Sequence, residues 1–302
     1  MKYVVVSAVV TDEIHFPDGN VKIAPGGAGF YALCGLRLWS DQVVAVTGIG
    51  EDYEKLHGEW YRRNHISMEG FRIKDARSPY TIVEYFPDGE RIETPALGLE
   101  HFRSLEATGE EVVPYLDSAE GMYIFRNLDP DFWNGFLKNK KDSSCKIMWE
   151  IAADAAQKEN LENVRKIAGQ LHAFSINMTE AKSLFGTSDR EQIIEELRSW
   201  GLELIFLRQG AKGAVMITAD EVVEVLSQPD VQVVDATGGG NSSTGAVLCG
   251  LVEGRSPEIC GRMGSISAAM CISQYGVPEE ITEEMRKEAW EKAICKNMKG
   301  LV

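Results

Sequence analysis

Short runs of apolar residues recur along the chain at 3–10, 42–47, 122–125, 146–151, 173–176 and 204–207. They are too uniformly apolar to leave one face in water, which predicts strands buried on both sides. Between the later runs lie 131–138, 158–170 and 190–200, whose apolar residues recur at helical spacing. Strands alternating with helices predict a parallel sheet with helices on both faces. Two earlier stretches, 30–38 and 53–64, also read as helices, and the chain from Asn241 onward is almost wholly helical.

A second pattern differs. The stretches 71–74, 80–86 and 91–94 alternate apolar and polar residues, as a half-exposed sheet does. Phe16-Pro17-Asp18-Gly19 predicts a hairpin just after the first strand, and Asp88-Gly89 a turn between two later ones. The segments 213–217 and 222–225 read as a final antiparallel pair. There is no internal repeat, low-complexity segment or long linker. The chain therefore reads as one α/β domain over 1–302. Its central, mostly parallel sheet is flanked by helices on both faces, and a small β lid is formed from about 13–25 and 71–98.

Charge narrows the functions. The net charge is −15, from 31 Lys and Arg against 46 Asp and Glu. General binding of nucleic acid or anionic lipid leans on basic residues, so both are excluded as expected partners. A phosphate ligand would have to be met locally, by backbone N–H groups, a helix N-terminus and a metal ion. No apolar run approaches membrane-spanning length, and Asp12 and Glu13 follow the first run with no small-residue cleavage site. A cytoplasmic protein is expected. The six cysteines show no CxxC pair and read as reduced core thiols, and the five histidines show no metal-ligand spacing.

The segment richest in chemistry is Val233-Val234-Asp235-Ala236-Thr237-Gly238-Gly239-Gly240-Asn241, followed by an apolar helix. Glycines let a backbone approach a ligand closely, and the free N–H groups at a helix start attract anions. Alone, the pattern fits a plain helix start equally well, with Asn241 as its N-cap. Three further segments stand in order with it: Gly26-Gly27-Ala28-Gly29 followed by Gly48-Ile49-Gly50-Glu51-Asp52, then Asn177-Met178-Thr179-Glu180, then Gly210-Ala211-Lys212-Gly213. Together they resemble the motifs of the ribokinase, or PfkB-type, carbohydrate kinases: the N-terminal diglycine, N-x-x-E, G-x-x-G and D-T-x-G-A-G-D, in order along nearly the whole chain.

The resemblance implies a ribokinase-like fold, with ATP and Mg²⁺ as cofactors and a monovalent cation as a further expectation. It implies that Asp12, Gly26, Gly27 and Tyr31 face a small polyol, and that Asn177, Arg208, Gly210 and Gly213 face the nucleotide. Glu180 would organise the metal, and Gly238, Gly239, Gly240 and Asn241 would be the catalytic loop. The strands at 80–94 would form a lid that excludes water, and their exposed edges favour pairing of two copies. Arg126, at a strand end, reads as a solvated arginine. Three departures stand out: Asn241 where the family has its basic Asp, Tyr31 where it has a sugar-binding Asn, and Arg208 where it has a Thr. An amide is not basic near neutral pH, although the near-isosteric Asn241→Asp should fit without repacking. The expected activity is ATP-dependent transfer to a hydroxymethyl group of a sugar, polyol or nucleoside. The alternative is a catalytically weak protein that binds such ligands in a regulatory role.

Overall fold

The computed structural model describes residues 1–86, 91–140 and 143–295. Its strands are β1 (Tyr3–Val6), β2 (Val10–His15), β3 (Val21–Gly26), β4 (Val43–Gly50), β5 (Phe71–Asp75), β6 (Tyr80–Tyr85), β7 (Arg91–Pro95), β8 (Gly121–Arg126), β9 (Lys146–Ile151), β10 (Ala173–Asn177), β11 (Leu204–Arg208), β12 (Ala214–Ile217) and β13 (Val222–Val225). Its α-helices are α1 (Ala28–Arg37), α2 (Tyr53–Arg63), α3 (Gly98–Leu105), α4 (Gly109–Val112), α5 (Pro130–Asn139), α6 (Leu161–Ala168), α7 (Met178–Phe185), α8 (Arg190–Ser199), α9 (Gly239–Val252), α10 (Pro257–Ile272) and α11 (Glu283–Ile294).

The main sheet runs β13-β12-β11-β10-β9-β8-β1-β4-β5, parallel from β11 to β5 and antiparallel over β11, β12 and β13. This is the mostly parallel α/β sheet expected. Period-2 alternation divides the central strands of this sheet between two cores. Tyr3 and Val5 enter one with α1, α9 and α10, while Val4 and Val6 enter the other with Phe132, Phe136 and Val164. Helix α9 is buried on every side from Ser242 to Leu251, so its sequence is apolar or small all round rather than amphipathic. From β1 the chain first builds outward through β4 and β5, then returns to build β8 to β11 on the other side. Such a switch point opens a crevice at the carboxyl ends of the strands. Arg126, Glu150, Asn177 and Arg208 all stand at or next to those ends.

A second sheet, β3-β2-β6-β7, caps the crevice. The Phe16–Gly19 hairpin forms as predicted: Phe16 N–H donates to Asn20, Gly19 N–H donates to Phe16, and Gly19 takes φ +86°. The Asp88-Gly89 turn lies outside the described residues.

Several expectations are corrected. The first apolar run is not one strand: β1 stops at Val6, and β2 starts at Val10 in the other sheet. The carbonyls between them turn toward α1, where Gly29 N–H donates to Ala8 at 2.9 Å. The stretch assigned to the lid at 71–75 is β5, which pairs with β4 as the outer strand of the main sheet. An edge strand is half exposed, so its alternation resembles that of a lid strand. Helix α3 starts at Gly98, the last residue of the range read as lid. Arg126 is buried; it pairs with Glu106 at 3.2 Å and Asp129 at 2.8 Å and lies over the Phe132 ring. Cys34, Cys145, Cys249, Cys260 and Cys271 are buried free thiols, whereas Cys295 is exposed. Among the described residues no helix is long and apolar enough to cross a membrane.

Candidate active site

The glycine segment is turned by its own aspartate. Asp235 is buried, and its Oδ1 accepts from Thr237 N–H at 2.9 Å and Thr237 Oγ1 at 2.6 Å. The backbone N–H groups of Val234 and Asp235 donate to Ile272 at the end of α10, which pins the segment. Gly238 then takes φ +75° and α9 begins at Gly239. Only glycine fits at Gly238, because a Cβ would overlap the Tyr31 ring. The N-cap is thus Gly238, and Asn241 lies inside the first turn rather than capping it. No acidic residue stands in that first turn, so the helix does not neutralise its own positive end.

This turn is a wall between two cavities. On one side, a cavity of ≈ 350 Å³ is lined by Asp12, Gly27, Tyr31, Gly238 and Asn241 among others. The second sheet roofs it: Asp12, Thr81, Val83, Tyr85, Arg91 and Glu93 all point inward from alternate positions. Gly26 lies behind the Asp12 carboxylate, which a Cβ there would overlap. Burial chiefly, with the neighbouring Glu93 and Asp235 charges, pushes Asp12 up to about 7, against the pull of Arg91. Phe102, Phe125 and Tyr85 give the cavity aromatic walls.

On the other side, a cavity of ≈ 500 Å³ is lined by Gly239 and Gly240, by Asn177, Arg208, Gly210 and Gly213, and by small residues of α10. Gly210 and Gly213 take φ +59° and +89° in the β11–β12 hairpin. Asn177 and Glu180 form a reciprocal cap on α7. Asn177 Oδ1 accepts from Glu180 N–H at 2.9 Å, and Glu180 Oε2 accepts from Asn177 N–H at 2.8 Å. Asn177 is therefore the N-cap of α7. Glu180 is raised by burial and lowered by Arg208. Its Oε1 has no hydrogen bond or ion pair among the described residues. Glu180 lines neither cavity, and its one open carboxylate oxygen is a donor of the kind Mg²⁺ takes, an ion that keeps most of its waters.

Glu150, absent from the sequence-derived candidates, joins the two sides. It is 2% exposed at the end of β9. Its Oε2 accepts from Tyr123 Oη at 2.8 Å, and its Oε1 from Asn241 Nδ2 at 3.1 Å. Arg208 Nη1 lies 2.8 Å from the same Oε1, and Arg208 Nη2 lies 3.7 Å from Glu180. Asn241 Nδ2 also donates to Tyr123 Oη at 3.2 Å. A carboxylate inside an apolar strand, Lys146–Ile151, was the available signal, because a buried charge needs partners. The sequence could not name those partners.

A family model described as pfkB family carbohydrate kinase matches residues 2–284. The chain is 25% identical over 279 residues to a cytidine kinase of Thermococcus kodakarensis, covering 90% of this chain and 96% of that protein. Adenosine kinase from Sinorhizobium meliloti superposes with a TM-score of 0.78 at 18% identity, covering 96% and 98% of the two chains. Arabidopsis thaliana ribokinase, solved with ribose and ATP, superposes with a TM-score of 0.75 at 19% identity over 97% and 99%.

Proposed function

The chain belongs to the pfkB carbohydrate kinase family, and from that premise we propose that it transfers the γ-phosphoryl group of ATP to a hydroxymethyl group of a nucleoside, with sugars and polyols as the wider class. The observation that carries this reading is the first turn of α9. Its Gly238 and Asn241 face one cavity, and its Gly239 and Gly240 face the other. Acceptor and phosphate would thus meet across two residues of one anion-attracting helix start. The aromatic walls and the likeness to a cytidine kinase favour a nucleoside.

In this reading Asp12 accepts hydrogen bonds from acceptor hydroxyls. Asn241 stands where the family pattern has its base. Both hydrogens of its Nδ2 are engaged, by Glu150 and Tyr123, so its Oδ1 remains as the acceptor that orients a hydroxyl. Glu180 and Asn177 would hold Mg²⁺ and its waters, and the metal supplies charge neutralisation on the phosphates. Phosphoryl transfer of this kind depends mainly on positioning and charge. The small sheet would act as a lid. Its outer face, with Val21, Ile23 and Ile92 exposed, would pair with a second copy. Five buried free thiols and a need for ATP fit the cytoplasm.

The test is turnover. Purified protein with Mg·ATP should phosphorylate at least one of a panel of nucleosides, pentoses and polyols, read by ADP release and product mass. Tight acceptor binding without turnover would favour the binding-protein reading instead, to which the non-basic amide of Asn241 points.

A further inference from the structure

Arg208 is the one feature of this site that neither a helix start nor a hydroxyl-binding pocket requires. It ends β11 beside Asn177 of β10, and its guanidinium crosses to the first turn of α9. A Cβ on Gly240 would overlap Arg208 Nη1, so the guanidinium lies directly against the glycine loop. One contact anchors it: Nη1 to Glu150 Oε1 at 2.8 Å. The Nη2 contact to Glu180 is long, at 3.7 Å, and the buried Nε has no hydrogen-bond partner among the described residues. A guanidinium carries five N–H donors in a fixed fork. Glu150 uses one, so Arg208 can remain anchored while its other donors meet a ligand in the nucleotide cavity that it lines.

We propose that Arg208 is a catalytic residue, which donates to the transferring phosphoryl group and supplies positive charge to its oxygens as the transition state forms, while Glu150 positions it. The proposal rests on the kinase reading above and extends it. The acceptor oxygen bonds to phosphorus as the bond to the bridging oxygen of ADP breaks. The hydroxyl proton passes to a non-bridging oxygen of the transferred group and then to water, one proton per turnover, so no protein base is needed. A cation in place of a base is sufficient in scale. An arginine at the transition state contributes roughly 10³–10⁵-fold, against roughly 10²–10⁴-fold for a general base. Glu150 also turns the Asn241 amide, so one buried carboxylate sets both groups at the point of transfer.

The experiment compares Mg·ADP with Mg·ADP plus aluminium fluoride, a mimic of the transferring group, by calorimetry. Wild type should bind the fluoride complex much more tightly than Mg·ADP alone. Arg208→Lys keeps the charge that Glu150 needs but loses the fork. It should bind Mg·ADP within a few-fold of wild type and lose on the order of 10²-fold of the fluoride gain. Arg208→Met alone would strand Glu150, so Arg208→Met combined with Glu150→Gln removes both charges and should lose the gain entirely. Retention of the fluoride gain in both variants would make Arg208 a structural counter-charge and overturn the proposal. Equal loss of Mg·ADP and of the fluoride complex would make it a ground-state binder, which also overturns it. Wild type that binds Mg·ADP with no fluoride gain sinks this inference alone. Wild type that binds no Mg·ADP sinks the kinase reading with it.

Discussion

At the scale of single residues, charge decides what shape allows. Asp12 sits at about 7 because burial and two neighbouring carboxylates disfavour its ionised form. Its folded pKa therefore lies above its unfolded value, so the native state holds a proton that the unfolded state has released. Stability from this residue falls as pH rises from about 4 to about 7 and is level beyond. Asp12→Asn should raise the melting temperature at pH 8, with the difference vanishing toward pH 4, as thermal scans at several pH values would record. The same ionisation should help the acceptor, since its hydroxyls donate to a carboxylate. Acceptor affinity should rise from pH 6 to pH 8 in wild type and be weak and flat in Asp12→Asn, by titration calorimetry.

Asn241→Asp illustrates the same point. The two side chains match in size, but the new carboxylate would face Glu150 Oε1 across 3.1 Å, where an N–H donor now lies. Like charges at that distance force one group to hold a proton, so its folded pKa rises and the penalty grows with pH. The variant should melt lower than wild type at pH 8 and approach it near pH 5, rather than fit without consequence. Adding Glu150→Gln should restore stability. In that double variant a carboxylate at 241 is free to act as a base. Its turnover should then exceed that of Glu150→Gln alone by up to about 10²–10⁴-fold. A double-mutant cycle in melting temperature and kcat checks both statements.

At the scale of elements, the site depends on how closely two helices cross. Helix α1 starts at the diglycine and α9 at the glycine loop, so their packing sets the distance between the acceptor and phosphate sides. They meet backbone to backbone: a Cβ on Gly35 would overlap the Ser242 carbonyl, and one on Gly245 would lie 2.7 Å from the Ala32 carbonyl. Neither neighbour is a flexible side-chain tip, so no local adjustment relieves the overlap. Gly35→Ala should destabilise the fold by about 1–3 kcal/mol, the usual cost of overpacking. It should also weaken nucleotide and acceptor binding together, because both loops move when the helices part. Chemical denaturation and the two affinities measure this. Intact affinities in a destabilised variant would show that the crossing supports the fold alone.

At the scale of the whole molecule, the second sheet has two chemically different faces. Its inner face carries Asp12, Tyr85, Arg91 and Glu93 into the cavity. Its outer face exposes Val21 at 54%, Ile23 at 47% and Ile92 at 51%, on strands whose edges are open. A second copy covering that face would remove this apolar surface from water. Ile23→Lys should shift the sedimentation profile from dimer to monomer with little change in melting temperature at low concentration. A wild-type monomer at high concentration would rule out the pairing.

The amino-acid sequence by itself determined the layered α/β architecture, because strand and helix periods are properties of each segment, repeated wherever that segment lies. It also determined the glycine loops, since a left-handed turn acts over two to four residues. Only the tertiary structure decided which segments become neighbours. The break after Val6 exists because the start of α1 packs against this stretch and Gly29 N–H takes the carbonyl of Ala8. The stretch 71–75 joins the main sheet because β4 offers it an edge. Arg126 is held inside by Glu106 and Asp129 rather than by water. Most of all, Glu150 reaches Asn241 across 91 residues and Arg208 across 58, and that meeting fixes the amide and the cation of the site. A buried carboxylate in a strand shows in the sequence that some partner must exist. Which partner it finds follows from long-range packing, because hydrogen bonds and ion pairs depend on distances in space that no spacing along the chain encodes.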